Sequence, residues 1–231
     1  MDDSVASRKR DWLASSSAAV VIRSAARLRS STLWTTTIAP SVSLPSGQKG
    51  TALTRIHRSL GRTFLYVTND QVEAMSMADQ VAVLREGTVQ QVGAPTEIYD
   101  NPANRWVATF VGSPRMNLLE CTANGRLAGA GWSLPNPGFG VSGDAKALLG
   151  VRSEDLSLDV RNESAALDGT VYAVEPLGDR TLVDIEIGGQ RVIVKAAPTT
   201  SFKIGDPVRA SVDLDRVHLF DARSEAAIAR R

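Results

Sequence analysis

The sequence predicts an α/β segment followed by an all-β domain of the OB-like barrel class, and three observations carry that prediction. Residues 63–78, TFLYVTNDQVEAMSMA, couple a short apolar run to a polar turn and then to helical spacing. Beyond Arg115 helical periodicity gives way to short strand-like runs separated by Gly, Pro, Asn and Asp. Within that region Gly188-Gly189 joins two alternating runs as a tight hairpin.

Phe64, Leu65, Tyr66 and Val67 form a nearly unbroken apolar run bounded by Thr68, Asn69 and Asp70, the pattern of a strand buried on both faces of a parallel sheet. Ligands meet such sheets at the carboxyl ends of their strands, which puts Asn69 where function would sit; Asn is also an ordinary turn residue. Val72, Met75 and Met77-Ala78 follow at helical spacing, with Asp70 placed to cap the helix and favour its positive end. Residues 80–84 and 88–92 flank Arg85-Glu86-Gly87 as a β-hairpin that closes the edge of the same sheet. Pro95 opens a short helix through Tyr99, Asn101-Pro102 ends it, and Trp106, Val107, Phe110 and Val111 supply the apolar face of another. Gly112-Ser113-Pro114 interrupts both periods and marks a boundary, giving domains at 53–112 and 113–231.

In the second domain the predicted strands include 148–151, 169–174, 181–187, 191–195 and 208–214, and His218 lies in a further strand, VHLFD. Leu182 to Ile187 alternates apolar and acidic positions, so one face is buried and the other wet. Repeated short strands at this spacing suggest a Greek-key or OB-like barrel. Such barrels also bind single-stranded nucleic acid, but that needs a basic groove with aromatic platforms. Aromatics are only 5% of the chain, and Asp155, Asp159, Asp168, Glu175, Asp179, Asp184 and Glu186 share the region with its arginines, so nucleic acid is not an expected partner.

The composition, 43% hydrophobic and 22% charged over 231 residues at a net charge of +1, suits two modest globular domains. Cys121 is the single cysteine, which excludes an internal disulfide and a cysteine zinc site within one chain. His57 and His218 are the only histidines, too few for a His-rich metal centre or a conventional triad, and both read as structural. Met75, Met77 and Met116 read as core filler. No catalytic residue and no metal ligand is assigned. No stretch approaches the roughly 18–20 apolar residues that cross a bilayer.

From Leu53 onward the ordered segments LTRIHRSLGRT, VTNDQVEAM, MADQVAVLREGTVQQVGAPTEIYDNPANRWVATFVGSPRMNLLE, GVRSEDLSL, VEPLGDRTLVDIEIGGQRVIV and GDPVRASVDLDRVHLFD closely resemble the ATP-binding subunits of ABC importers for sugars and glycerol phosphate, the maltose-importer type. The resemblance spans roughly three quarters of the residues. It implies the remnant of a P-loop ABC ATPase domain followed by a TOBE-type, OB-like regulatory domain that helps two ATP-binding subunits pair. It further implies Mg-ATP as the cofactor of the intact family, permease subunits and a second ATP-binding subunit as partners, and a cytoplasmic location at the inner face of the membrane.

The departures from the family pattern matter as much. Val67-Thr68-Asn69-Asp70 stands where family members read VTHD, so Asn69 occupies the switch position that contacts the terminal phosphate. Asparagine donates a hydrogen bond but carries no proton in the neutral range, so phosphate sensing and hydrolysis are expected to be impaired. No G-x-x-x-x-G-K-[ST] loop occurs anywhere, and Leu44-Pro45-Ser46-Gly47-Gln48 matches the LSGGQ signature only by coincidence. From Trp12 through Asn69 there is neither Asp nor Glu to hold magnesium or polarise water. Gly150-Val151-Arg152-Ser153-Glu154-Asp155 matches the family's G-[IV]-R-P-E-D turn except at Ser153; Arg152 and Glu154 read as a charge pair fixing that turn, with a functional surface as the other reading.

Residues 1–52 are rich in Ser, Ala, Arg and Thr without sustained period, and are expected to be an irregular segment from another reading frame or a deletion joint. The competing reading, a targeting segment behind Arg8-Lys9-Arg10, has a weak core interrupted by serines and closed by Arg23. The chain is thus expected to be an N-terminally truncated importer ATPase that does not turn over ATP, or else a non-enzymatic regulatory or dimerisation module pairing with an intact ATPase.

Overall fold

The computed structural model describes residues 18–23, 54–55, 57–60, 63–141, 143–158 and 165–231, the first of these stretches as backbone. The chain divides into two compact units, residues 1–103 and 104–231. Expectations for residues 1–17 and 24–52 lie outside the described residues.

The first unit holds one four-stranded sheet in the order β2-β1-β3-β4, with β1 Ala18–Arg23, β2 Phe64–Thr68, β3 Gln80–Arg85 and β4 Thr88–Gly93. The expected parallel sheet is corrected here. Every adjacent pair is antiparallel, because β1 lies between β2 and β3 and opposes both (Val20 opposite Val67 on one side and Ala82 on the other). The run AAVVIR within the expected irregular segment supplies that strand, its β-branched residues favouring extended backbone. Nor is β2 buried on both faces: Phe64 is 9% exposed and Leu65 36%.

The hairpin forms as expected. Glu86 and Gly87 both take positive φ, 50° and 75°, the pair of left-handed residues that a two-residue turn needs to match the twist of its strands. Helix α1, Gln71–Met77, presents Glu73, Ala74 and Met77 inward, whereas Val72 is 67% exposed; the apolar stripe of the sequence is therefore rotated by one position. Helix α2, Pro95–Asp100, begins on its proline and buries Ile98 completely.

The second unit begins before the boundary motif. Asn104 caps helix α3, Arg105–Phe110, by accepting from the Val107 amide at 2.9 Å, and this helix belongs to the second unit. Two five-stranded antiparallel sheets follow. One runs β14-β8-β5-β6-β7, from β5 Asn117–Asn124, β6 Arg126–Gly129, β7 Trp132–Pro135, β8 Ala145–Val151 and β14 His218–Asp221. The other runs β12-β11-β10-β13-β9, from β9 Leu156–Ser157, β10 Ala166–Pro176, β11 Thr181–Ile187, β12 Gln190–Ala196 and β13 Pro207–Val212. Both sheets face one core that includes Leu119, Leu127, Leu134, Leu149, Leu167 and Ile185, each fully buried. This is the all-β, OB-like arrangement the strand spacing predicts.

Where β5 passes β12 the two strands are joined by side chains. Asn117, 6% exposed, donates from Nδ2 to the Ile193 carbonyl at 2.9 Å and accepts the Ile193 amide on Oδ1 at 2.8 Å, imitating a strand pair. Gln190 Oε1 accepts the Glu120 amide at 2.8 Å. The β11–β12 hairpin tip is seated against the β6–β7 turn so closely that a Cβ on Gly188 would lie 1.7 Å from the Ala130 carbonyl oxygen. At the far end the chain returns to its point of entrance into the unit: the Arg105 amide donates to the Glu225 carbonyl at 2.9 Å, and Asn104 bridges Ala226.

Candidate functional site

The carboxyl end of β2 is the site the sequence singles out. Asn69 sits there, exposed on the bend between β2 and α1. Asp70 caps α1, its Oδ1 accepting the Val72 and Glu73 amides at 2.8 and 3.2 Å. Behind the bend lies a buried polar cluster that sequence reasoning missed. Thr68 Oγ1 donates to Glu73 Oε2 at 2.9 Å, Tyr66 donates its hydroxyl to the same oxygen at 3.0 Å, and Thr68 Oγ1 accepts the Asp70 amide at 3.0 Å. Burial, and next the Glu73 carboxylate, raise the Tyr66 pKa, so the hydroxyl stays protonated and donating at neutral pH.

The signal that would have found this cluster is Glu73 at the third position after Asp70, the spacing of a capping box. In a capping box the glutamate returns to the amide of the cap residue; here Thr68 takes that amide and Glu73 turns to the two hydroxyls. The arrangement fastens α1 to β2. Glu73 is 9% exposed and one of its carboxylate oxygens accepts both hydroxyls, so the cluster holds the shape of the bend.

The residues about Asn69 do not fit Mg-ATP. Asp70 is committed to the helix cap and Glu73 to Tyr66 and Thr68, and no phosphate loop occurs in the sequence. Among the described residues no group of three or more His, Cys, Asp or Glu side chains is placed to hold a metal.

In the second unit Arg152 is 2% exposed and donates from Nη1 to the Val111 carbonyl at 2.8 Å, which makes it a core tie rather than a surface group. Ser153, where the family pattern has proline, donates to Glu154 Oε2 at 3.1 Å, and its carbonyl accepts the Lys195 amide at 2.9 Å, so the turn is fixed by hydrogen bonds in place of a ring. His57 packs edge-on to Phe64 with ring centroids 5.4 Å apart, and His218 stacks near Phe220 at 6.2 Å. Met77 and Met116 are buried.

Two of the cavities among the described residues open in this unit. One, about 430 Å³, lies between residues 154–157 and 211–215. Beside it burial pushes the Asp155 carboxyl up, opposed by Arg216, whose Nε donates to Asp155 Oδ1 at 2.7 Å. The other, about 470 Å³, lies on the outer face of the β14-β8-β5-β6-β7 sheet between Arg105 and Gln190. Cys121 borders it, its thiol pushed up to about 11 by burial and therefore protonated at neutral pH.

The fold and the motif order together define a class: residues 149–220 match the TOBE domain. The chain is 38% identical over 192 residues to the sulfoquinovosyl glycerol transport ATP-binding protein of Agrobacterium fabrum (strain C58), covering 79% of this chain and 52% of that protein. It is 38% identical over 188 residues to the sn-glycerol-3-phosphate import ATP-binding protein of Cupriavidus pinatubonensis, and 37% identical over 173 residues to one from Rhizobium johnstonii, covering 74% and 73% of this chain and 51% and 47% of those proteins. Over its C-terminal three quarters the chain is a relative of the ATP-binding subunits of carbohydrate-class ABC importers, and it spans about half the length of the curated relatives it matches. A solved structure, the cytoplasmic molybdate-binding protein ModG with molybdate bound, overlays 45% of this chain and 94% of its own at 17% identity and a TM-score of 0.38, too slight a likeness to carry weight.

Proposed function

We propose that this chain is a non-hydrolysing counterpart of the second half of an importer ATP-binding subunit for glycerol phosphate or related sugars. In this reading residues 53–112 derive from the last elements of a P-loop ATPase domain, and residues 113–231 are the TOBE-type regulatory domain. The observation that carries it is the similarity to those subunits, continuous through the Asn69 motif and the TOBE domain. Asn69 holds the switch position without a titratable ring, so it supplies no proton relay. The family's Mg-ATP would serve the intact relatives, with permease subunits as partners at the inner face of the cell membrane. Among the described residues no helix is long and apolar enough to cross a membrane.

The test is ATP binding and turnover by the purified chain with magnesium. Phosphate release at the level of a buffer blank is expected, and saturable turnover would overturn the reading. A second reading, a regulatory module that pairs with an intact ATP-binding subunit, is favoured by the self-contained core of the second unit. Co-expression with an intact subunit distinguishes it: a stable mixed dimer that keeps the intact subunit's turnover supports pairing.

A further inference from the structure

We infer that the cavity on the outer face of the β14-β8-β5-β6-β7 sheet binds a small bipolar metabolite, with an anionic head at Lys146 and Arg105 and hydrogen-bond-donating groups at Glu120. Its volume, about 470 Å³, lies within the range of small-ligand sites. The register places its charges. Thr122 lies opposite Lys146 on one side and Ala128 on the other, and the next outward row pairs Leu148 with Glu120. Leu119, Cys121 and Ala123 point into the core, so Glu120 and Thr122 point out with Lys146.

Lys146 and Glu120 therefore flank the cavity as opposite charges one diagonal apart, and among the described residues neither side chain is engaged in an ion pair or hydrogen bond. Two unspent charges of opposite sign on one concave wall suit a ligand that is itself bipolar. Arg105 adds guanidinium surface at the Lys146 end while paired to Glu225. At the Glu120 end Gln190 has its carbonyl taken by the Glu120 amide, which leaves its NH₂ as a donor. The wall of Ala128 and Gly129 leaves room for a compact ligand, and no aromatic side chain lines the cavity to stack on a ring. The inference rests on the second unit alone and stands whether or not the chain pairs with an importer.

The test is thermal stability of the full chain titrated with sn-glycerol 3-phosphate, whose donors are hydroxyls, and with phosphoethanolamine, whose donor is an ammonium. Inorganic phosphate and glycerol serve as one-ended controls. A saturable rise in Tm with either bipolar probe, at an apparent Kd about tenfold or more below both controls and weakened about tenfold in Lys146→Ala, is expected. Glu120→Gln separates the sources, since it weakens an ammonium ligand more than a hydroxyl one. No shift with either probe at millimolar concentration, equal binding of phosphate alone, or unchanged binding by a folded Lys146→Ala would overturn the inference.

Discussion

Replacing Asn117 tests how the second unit closes. The side chain is 6% exposed and exchanges two hydrogen bonds, at 2.9 and 2.8 Å, with the backbone of Ile193. Asn117→Ala removes both, each worth about 0.5–1.5 kcal/mol net, and leaves the Ile193 N–H and C=O to be met only by whatever water reaches that half-buried position. A loss of roughly 1–3 kcal/mol follows, which at about 3–5 °C per kcal/mol for a unit of this size lowers Tm by roughly 3–15 °C. Urea unfolding of the full chain, followed by tryptophan fluorescence, to which Trp132 in the core of this unit contributes, measures it. Asn117→Asp sharpens the sign. Ionised, it faces the Ile193 carbonyl with no proton to donate, so its folded pKa rises above its unfolded value; the variant is weaker than Asn117→Ala at pH 7 and recovers as pH falls toward its ordinary carboxylate range of about 4. An alanine variant within about 0.5 kcal/mol of the parent would refute the view that this amide stands in for a strand pair.

Gly188→Ala must push its Cβ to within 1.7 Å of the Ala130 carbonyl oxygen, whereas Gly189→Ala meets nothing within 4 Å and bears only the strain of its φ of 79°; the first is expected to unseat the hairpin, and the second to cost about 1–2 kcal/mol in urea unfolding. With its thiol pushed from 9.0 to about 11, Cys121 is expected to react with an alkylating reagent at pH 8 about a hundredfold more slowly in the folded chain than in urea. Since the unfolded thiol ionises first, Cys121 also makes stability fall as pH rises from about 9 toward 11. Leu149→Ala, at a fully buried core position, is expected to cost about 2–5 kcal/mol by calorimetry.

The elements legible in the sequence were those whose cause is local. Pro95 announces α2, and Gly188-Gly189 announces the turn between β11 and β12. Pairing is a different matter, because nothing within Phe64–Thr68 says that its neighbour is Ala18–Arg23 or that the two run antiparallel. Strands β5 and β6 were missed although Asn124-Gly125, with Gly125 at φ 56°, is a strong hairpin signal; the small inward residues Cys121 and Ala123 and the polar inward Asn117 blur the alternation that marks a strand. The candidate site was half legible. Asn69 and its capping neighbour are visible as a turn, but the fate of Glu73 depends on hydroxyls placed by β2.

The clasp between Asn104-Arg105 and Glu225-Ala226 sets the two ends of the second unit side by side. A module closed in this way is a cassette: joining it to another protein, or removing it whole, leaves its strand order untouched, and its ends can be bridged by a short linker while a new break is made in an exposed turn such as that at Gly205. Adjacent ends also mean that one such unit can be carried at the tip of unrelated partners without stretching either, so shuffling among proteins demands no redesign of its interior.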